Sequence, residues 1–360
     1  MRKGFKIVLA ILLAVVLVLV GYVIYVFTAY YRLEDKLPLE VSRTEQPAGP
    51  ALTVGQSHRL VSYNVGFGAY SDDYSFFMDG GTESRARSED AVRENLGGAM
   101  DAAQSLDPDL VFLQEVDADG TRSHHIDERE LVRAALSGYD TVFAQNYDSP
   151  YLFWPLTEPH GANQAGQMTL SRYPITGSLR RSLPIEDGFM KLVDLDRCYT
   201  VSRLPTNDGK ELVLYNFHLS AYTSDGVIAE EQLELLFDDM TAEAAQGNYA
   251  IAGGDFNKDV LGNSGDVFGV SGEAYTWAQP IPDELIPAGL HLIAPFDAKD
   301  PVASCRNADR PYGPDDFRVT VDGFVVSDNV TVTEASVLDT GYRWSDHNPV
   351  FLDFTLQSTP

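Results

Sequence analysis

Cysteine and positive charge are both scarce in this chain of 360 residues. Two cysteines, Cys198 and Cys305, allow one internal disulfide at most, which excludes a fold held by a framework of bridges. Sequence spacing does not show whether their Cα atoms come near enough to bond, so the pairing stays open. Lysine and arginine number 26 against 53 acidic residues, a formal net charge of −27. Such a surface repels polyanions and argues against tight, non-specific DNA or RNA binding, which calls for a basic footprint. It suits a domain dissolved in a salty or cation-rich exterior. No internal repeat occurs at periods of roughly 20–50 residues, which excludes a solenoid or a propeller.

What is present starts with a long apolar run. Arg2, Lys3 and Lys6 precede an uncharged stretch over residues 7–31. At about 1.5 Å per helical residue this stretch crosses a hydrocarbon layer of roughly 30 Å. A cleavable secretory signal also begins with a basic patch, but its apolar region is only about 7–15 residues and ends at an Ala-x-Ala-like site. No good site follows here, which favours an uncleaved anchor over residues 1–31. With the basic cluster kept inside, everything beyond Arg32 is expected outside the cytoplasm, as the body of a single-pass cell-membrane protein. Removing the charges of Arg2, Lys3 and Lys6 takes the balance of that body from −27 to −30.

Residues 32–57 are polar and carry Pro38, Pro47, Gly49 and Pro50, the composition of a linker between membrane and folded body. A single catalytic domain is expected over residues 58–360, and the 44% hydrophobic content suffices for its core. Strands are predicted over 59–65, 110–113, 141–144, 167–171, 193–202, 212–217, 249–252, 318–326 and 350–354. Helices are predicted over 85–106, where Gly97-Gly98 weakens the pattern, and over 127–136 and 230–245. The elements do not alternate in strict βαβ rhythm, which favours an α/β sandwich of mixed sheets over a parallel sheet.

Five segments place oxygen or imidazole groups at the ends of such strands. In Ser62-Tyr63-Asn64-Val65, the Asn64 amide can accept a metal, donate to a phosphate oxygen, or bond its own turn. Glu115 follows four apolar residues and Gln114, where a carboxylate must face water, a partner or a hard cation such as Mg²⁺. His218 ends a further apolar run, suited to donating to a phosphoryl oxygen, to protonating a leaving group, or to a satisfied core position. In Gly253-Gly254-Asp255-Phe256-Asn257 the paired glycines permit a tight backbone turn. Asp255 and Asn257, two apart in an extended segment, then point the same way to orient and deprotonate water. A plain Gly-Asp turn with a side-chain bond is the competing reading. In Ser345-Asp346-His347-Asn348-Pro349, Asp346 is suited to metal and His347 to phosphate. Asp322, the one acid of an apolar run, needs a buried partner, for which His347 is the candidate.

Taken together, in this order and at these strand ends, the segments resemble the endonuclease/exonuclease/phosphatase superfamily, the fold typified by pancreatic deoxyribonuclease. The resemblance runs from about residue 58 to residue 356. It implies a four-layer sandwich, two mixed β-sheets flanked by helices, with the site at one end between the sheets. It implies Mg²⁺, or Mn²⁺ in its place, held by Asn64, Glu115 and Asp346. Asp255, helped by Asn257, would ready the water; His218 and His347 would stabilise the oxyanion, with Asp322 behind His347. Ser171-Arg172-Tyr173-Pro174-Ile175 resembles a strand-to-turn signature of many relatives, whereas residues 163–168 replace their usual Gly-Asn pair.

The superfamily includes nucleases, phosphoinositide phosphatases and sphingomyelinases, and its catalytic set does not choose among them. The anchor and the acidic surface favour a lipid headgroup or a small phosphoester as substrate. An extracytoplasmic nuclease acting on DNA or RNA is the alternative, and a non-catalytic surface binding module a third reading. Arg172, Arg306 and Arg310 are candidate substrate contacts, the last two as guanidiniums able to fork onto phosphate. Two aromatic clusters, residues 70–77 and 151–155, are suited either to substrate contact or to packing.

Overall fold

The computed structural model describes residues 2–186, 188, 191, 195–221, 227–269 and 278–358. Helix α1 (Arg2–Ala29) is followed by two short strands, β1 (Leu37–Pro38) and β2 (Val41–Ser42). Next come β3 (Ser57–Asn64), α2 (Glu89–Ser105), β4 (Leu110–Gly120), α3 (Glu128–Ala135), β5 (Asp140–Asp148) and β6 (Asn163–Ser171). The chain continues through β7 (Gly177–Ser182), β8 (Cys198–Pro205), β9 (Glu211–His218), α4 (Val227–Ala245) and β10 (Tyr249–Asp255). Then follow α5 (Ser264–Phe268), β11 (Leu290–Ile293), β12 (Cys305–Arg306), β13 (Arg318–Val319), β14 (Asp322–Ser327), β15 (Val330–Val337) and β16 (Val350–Leu356).

Two seven-stranded sheets pack face to face. One has the order β1-β7-β8-β9-β10-β14-β11 and the other β15-β16-β3-β4-β6-β5-β2. Each contains one parallel pair, β9 with β10 and β3 with β4, in otherwise antiparallel surroundings. Strict alternation along the strands builds the layers. Leu110 and Phe112 of β4, Leu212 and Leu214 of β9, and Tyr249 and Ile251 of β10 fill the space between the sheets. Their neighbours Val213, Tyr215, Ala250 and Ala252 face α4, while Val111 and Leu113 face α2 and α3. The result is the expected four-layer α/β sandwich.

The helices start where side chains can cap them. Ser88 accepts from Ala91 N at 3.1 Å, so α2 begins at Glu89, four residues inside the expected start. Asp127 caps α3 in the same way. The strand expected over 318–326 is two pieces, because Ser304 Oγ accepts the amides of Val321 and Asp322 and interrupts the ladder. The strand expected over 193–202 runs instead from Cys198 to Pro205, and residues 192–194 lie outside the described residues. Both cysteines are buried free thiols.

Residues 32–57, expected as a polar linker, lie along the domain. β1 pairs with β7 and β2 with β5, so this segment covers an edge of each sheet. Leu52 is buried in the core between the sheets. The physical cause is a short apolar residue every few positions, Leu37, Leu39, Val41 and Leu52, within polar surroundings. Among the described residues, α1 is the one helix long and apolar enough to cross a membrane, with none of its apolar window buried. A signal sequence near the N-terminus meets the same criterion of length and apolar composition.

The Gly97-Gly98 pair divides between two roles. A Cβ on Gly98 would lie 2.4 Å from the indole of Trp344, whereas a Cβ on Gly97 would meet nothing within 4 Å. Gly98 therefore lets α2 approach the segment that carries Asp346 and His347. Gly97→Ala is expected to stabilise the fold by about 0.5–1 kcal/mol, a rise in Tm of about 2–3 °C. Gly98→Ala is expected to lower stability by about 1–3 kcal/mol through overpacking. Differential scanning calorimetry of the two variants checks the opposite signs.

Candidate active site

Toward one end of the sandwich, the inward-facing residues change from hydrocarbon to polar groups. Along β3 the inward series is Leu60, Ser62, Asn64; along β4 it is Leu110, Phe112, Gln114; along β9 it is Leu212, Leu214, Asn216, His218. β10 ends at Asp255, directly opposite Asp322 in the antiparallel β14 and His218 in the parallel β9. Gln114 Nε2 donates across the gap to Asn216 Oδ1 at 2.8 Å, and Asn216 Nδ2 returns to the carbonyl of Met168 at 2.8 Å. Gln167 donates to the Asn216 carbonyl at 2.7 Å. These amides are fully buried, and their mutual bonding fixes the spacing of the sheets beneath the site.

Glu115 is aimed by a β-bulge. Gln114 and Glu115 together oppose Gln167 alone, between the pairs Leu113 with Met168 and Val116 with Gly166. Glu115 takes a positive φ of 56° there, and the extra residue turns its side chain toward the gap. Asn64 Nδ2 bridges Glu115 Oε1 at 3.0 Å and Asp255 Oδ2 at 3.2 Å. Its own oxygen accepts from Gly66 N at 3.0 Å. Asn64 thus donates to two carboxylates and positions them, beside the gap where it was expected to help hold a metal.

The two glycines before Asp255 lie inside β10 and form no turn. Gly254 has φ 149°, and a Cβ there would fall 2.0 Å from the Phe217 carbonyl; a side chain would break the β9–β10 pairing. Asp255 Oδ1 accepts from Asn257 N at 2.8 Å, so the side-chain turn bond weighed as a competing reading is present at the site itself. Asn257 has φ 50° and donates to the Leu219 carbonyl at 2.8 Å; it fixes the loop and does not extend alongside Asp255.

Asp255 Oδ2 lies 3.5 Å from His218 Nε2 and 3.7 Å from His347 Nε2. His347 Nδ1 bonds Asp322 Oδ2 at 2.7 Å. The two imidazoles differ in charge. Burial, reinforced by Arg197 and His347, holds His218 neutral, well below its ordinary value. For His347 burial works against protonation, but the Asp322 carboxylate outweighs it and raises the group well above its ordinary value. Burial also raises Asp255, against the pull of His347 and with the repulsion of Asp322, to about 7. A carboxylate so placed is a general base suited to neutral pH. The Asp255 contact of His218 is therefore a contact with a neutral ring, and that of His347 an ion pair.

Asp346 is raised above the usual carboxylate range by burial, with His347 opposing the shift and Glu115 adding to it. Two half-buried carboxylates that repel across one gap, with an amide beside one of them, are the oxygen donors a hard divalent cation takes. Asp255, Asp322 and His347 also place ligand atoms within 4.8 Å of one another. There, however, the imidazole stands between two carboxylates, and an imidazolium has no lone pair for a metal. Glu115 and Asp346 fit a cation; Asp255, His347 and Asp322 fit proton transfer.

Of the three arginines expected at the substrate, two lie away from the gap and Arg306 lies behind Asp346. Arg172 follows the far end of β6 and pairs with Asp107 at 2.6 Å, at the opposite end of its sheet from Glu115. Arg306 is buried behind Asp346 and donates to the carbonyls of Ser71, Tyr74, Asn307 and Arg310, joining two loops. Arg310 pairs with Asp316 at the surface. Two guanidiniums near the site were missed by sequence reasoning: Arg197, which donates to the His218 carbonyl at 3.3 Å, and Arg122. Arg122 is bound by Asp117 at 2.7 Å, lies 4.0 Å over the Phe67 ring, and acts electrostatically on both Glu115 and His218. Its signal in the sequence is Asp117, an acid at an inward position of β4, five residues before an arginine across the Gly120 turn.

In metal-free protein kept in chelator, NMR titration of the imidazoles is expected to show His347 protonated well above pH 6.5 and His218 neutral well below it. Asp322→Asn removes the charge that holds the His347 proton and is expected to move its titration down. Titration of His347 at or below the ordinary value in the unaltered protein would contradict the assignment.

Solved structures share this architecture at low identity. An endonuclease/exonuclease/phosphatase from Beutenbergia cavernae is 20% identical with a TM-score of 0.57, covering 84% of this chain and 72% of that one. The catalytic domain of human Nocturnin with bound sulfate anion is 17% identical with a TM-score of 0.53, covering 89% and 97%. D. rerio TDP2 complexed with single strand DNA product is 16% identical with a TM-score of 0.52, covering 83% and 99%. At these identities the likeness is one of fold. No curated protein matches the sequence. The Endonuclease/Exonuclease/phosphatase family model matches residues 61–347, a span that holds every group of the site from Asn64 to His347, and the chain belongs to that family.

Proposed function

We propose that the protein is a divalent-cation-dependent hydrolase of phosphate esters, tethered outside the cytoplasm by α1, with a lipid headgroup or small phosphoester as substrate. The observation that carries this reading is the division of labour around Asp255: a buried base at about 7 faces one neutral and one charged imidazole, beside the separate acidic pair Glu115 and Asp346. Glu115 and Asp346 would hold Mg²⁺ or Mn²⁺, which when bound supplies positive charge against the phosphoryl oxygens.

The chain's own groups do the rest. Asp255, held by Asn64 and the Asn257 amide, takes a proton from the attacking water as the new bond to phosphorus forms. His347, kept charged by Asp322, offers its proton to the oxygen on which negative charge develops as the ester bond breaks. His218 donates from a neutral ring, so it assists without competing for the proton on Asp255. Arg122, buried and paired with Asp117, adds a fixed guanidinium behind the site.

A nuclease reading has one observation in its favour, the DNA product in the D. rerio relative. Against it stands the −27 net charge, which repels a polyanion over most of the surface. The intact set of Glu115, Asp255, His218, Asp322 and His347 argues against a binding module without turnover.

Protein beginning at Arg32 keeps β1, β2 and Leu52 and is the form to assay. It is expected to hydrolyse bis-p-nitrophenyl phosphate with Mg²⁺ or Mn²⁺ and to stop in chelator. Asp255→Asn is expected to lower kcat by about 10²–10⁴-fold with little change in Tm. Parallel assays on phosphoinositides, sphingomyelin, plasmid DNA and RNA decide the substrate, and cleavage of nucleic acid alone would overturn the lipid or small-ester reading.

A further inference from the structure

The aromatic cluster over residues 70–77 is absorbed by the core, where Tyr70, Tyr74 and Phe76 are buried around Phe67. The second cluster is not. Phe153, Trp154 and Leu156 at the tip of the β5–β6 connection are 52%, 66% and 76% exposed, unusual values for neighbouring large apolar residues.

This tip touches α1. Tyr22 Oη donates to the Tyr151 carbonyl at 3.1 Å, Tyr25 Oη accepts from Tyr151 N at 2.9 Å, and Tyr22 meets Phe153 edge to face at 5.2 Å. Tyr25 and Tyr22 lie four and seven residues inside the Ala29 end of the helix, about 6 and 10 Å along its axis. That is the depth of the headgroup and acyl boundary, where aromatic side chains collect. The connection after α1 is fixed as well: Arg32 binds Asp196 at 2.7 Å and the Leu183 carbonyl at 2.7 Å.

The same loop is joined to the wall of the catalytic gap. Ser84 Oγ donates to the Glu158 carbonyl and Arg85 Nε to the Pro159 carbonyl, each at 2.5 Å. His160 bonds the Ser84 carbonyl at 2.8 Å and packs on Phe67, three residues beyond Asn64. β4 runs from Glu115 to Gly120 toward this tip, so loop and site share one end of the sandwich.

We propose that Phe153, Trp154 and Leu156 seat in the outer leaflet beside α1 and hold the mouth of the active site toward the bilayer, which makes a phosphoester carried in the membrane the substrate class. The occupant of this apolar surface is a lipid bilayer, because the patch is continuous with a helix whose apolar window is wholly uncovered. The neighbouring acids Asp148 and Glu158 disfavour attraction to anionic headgroups, so seating depends on apolar insertion and not on charge. This inference rests on the proposed hydrolase and on α1 as a retained span.

Full-length protein reconstituted in phosphatidylcholine vesicles tests it. With brominated phosphatidylcholine, part of the tryptophan emission is expected to be quenched, and Trp154→Phe is expected to remove that part. Emission unquenched in the unaltered protein would overturn the seating. The combined variant Phe153→Ser, Trp154→Ser, Leu156→Ser is expected to keep hydrolysis of soluble bis-p-nitrophenyl phosphate within about twofold, while kcat/KM on phosphoinositide or sphingomyelin in vesicles falls about tenfold or more. Equal rates of variant and unaltered protein on the vesicle-borne ester would overturn the orienting role. Absence of turnover on every ester would sink the hydrolase reading, and the quenching would still decide the seating.

Discussion

The hydrogen bond from Gln114 to Asn216 joins the two sheets at the level where hydrocarbon between them ends. Below it Phe112, Leu214 and Ile251 pack as an ordinary core; above it Asn64, Asp255 and His218 face one another. Without Gln114 the buried Asn216 Oδ1 would lose its donor, a loss of about 1–3 kcal/mol. Bonded together, and to the Met168 and Leu113 carbonyls, they set one separation for the sheets. That separation decides whether Asn64 on one sheet reaches Asp255 on the other. The same bond lies next to the bulge that turns Glu115, so the level of the amides and the aim of the carboxylate are linked through adjacent residues.

Charge is then partitioned within a small volume. Glu115 repels Asp346 across a gap that both line as half-buried groups, a repulsion that a bound cation would offset. Asp255 and Asp322 would face the same difficulty, but His347 stands between them and carries the positive charge. His218 sits on the other side of Asp255 and stays neutral because burial penalises its charge, and because a second imidazolium beside Arg197 and His347 would be repelled. One cationic ring and one neutral ring on either side of a carboxylate follow from that arithmetic of neighbours, with no difference between the two histidines as residues.

Much of this was legible in the sequence because strand ends announce themselves. An acid, amide or imidazole at the edge of or inside an apolar run has few places to go: Asn64, Glu115, His218 and Asp255 follow such runs, Asp322 lies in one, Asp346 and His347 precede one, and all meet in one gap. Strand direction was not legible, and it accounts for Arg172. β6 runs antiparallel to β4, so the residue after its apolar run emerges at the opposite end from the residue after that of β4. Arg306 illustrates a different limit: its partners Ser71 and Tyr74 are more than two hundred residues away, and their carbonyls carry no side-chain signal. Gly253 and Gly254 were legible as necessary, but the reason was close approach within a sheet and not a turn.

The segment after α1 shows why composition alone misplaced a boundary. Prolines and polar residues suggest a free linker, yet an edge strand needs only two residues in register, and Pro38 is tolerated where its missing N–H faces outward. β1 closes one sheet and β2 the other, so residues 37–42 bind both halves of the sandwich, and Asp35 holds Ser182 N at 2.8 Å just before them. Any tilt of α1 therefore reaches the two sheets together and cannot be absorbed by a flexible tether. Under the proposed anchoring by α1, a domain fastened in this way would present to the bilayer the end that carries the gap lined by Glu115, Asp255 and His347.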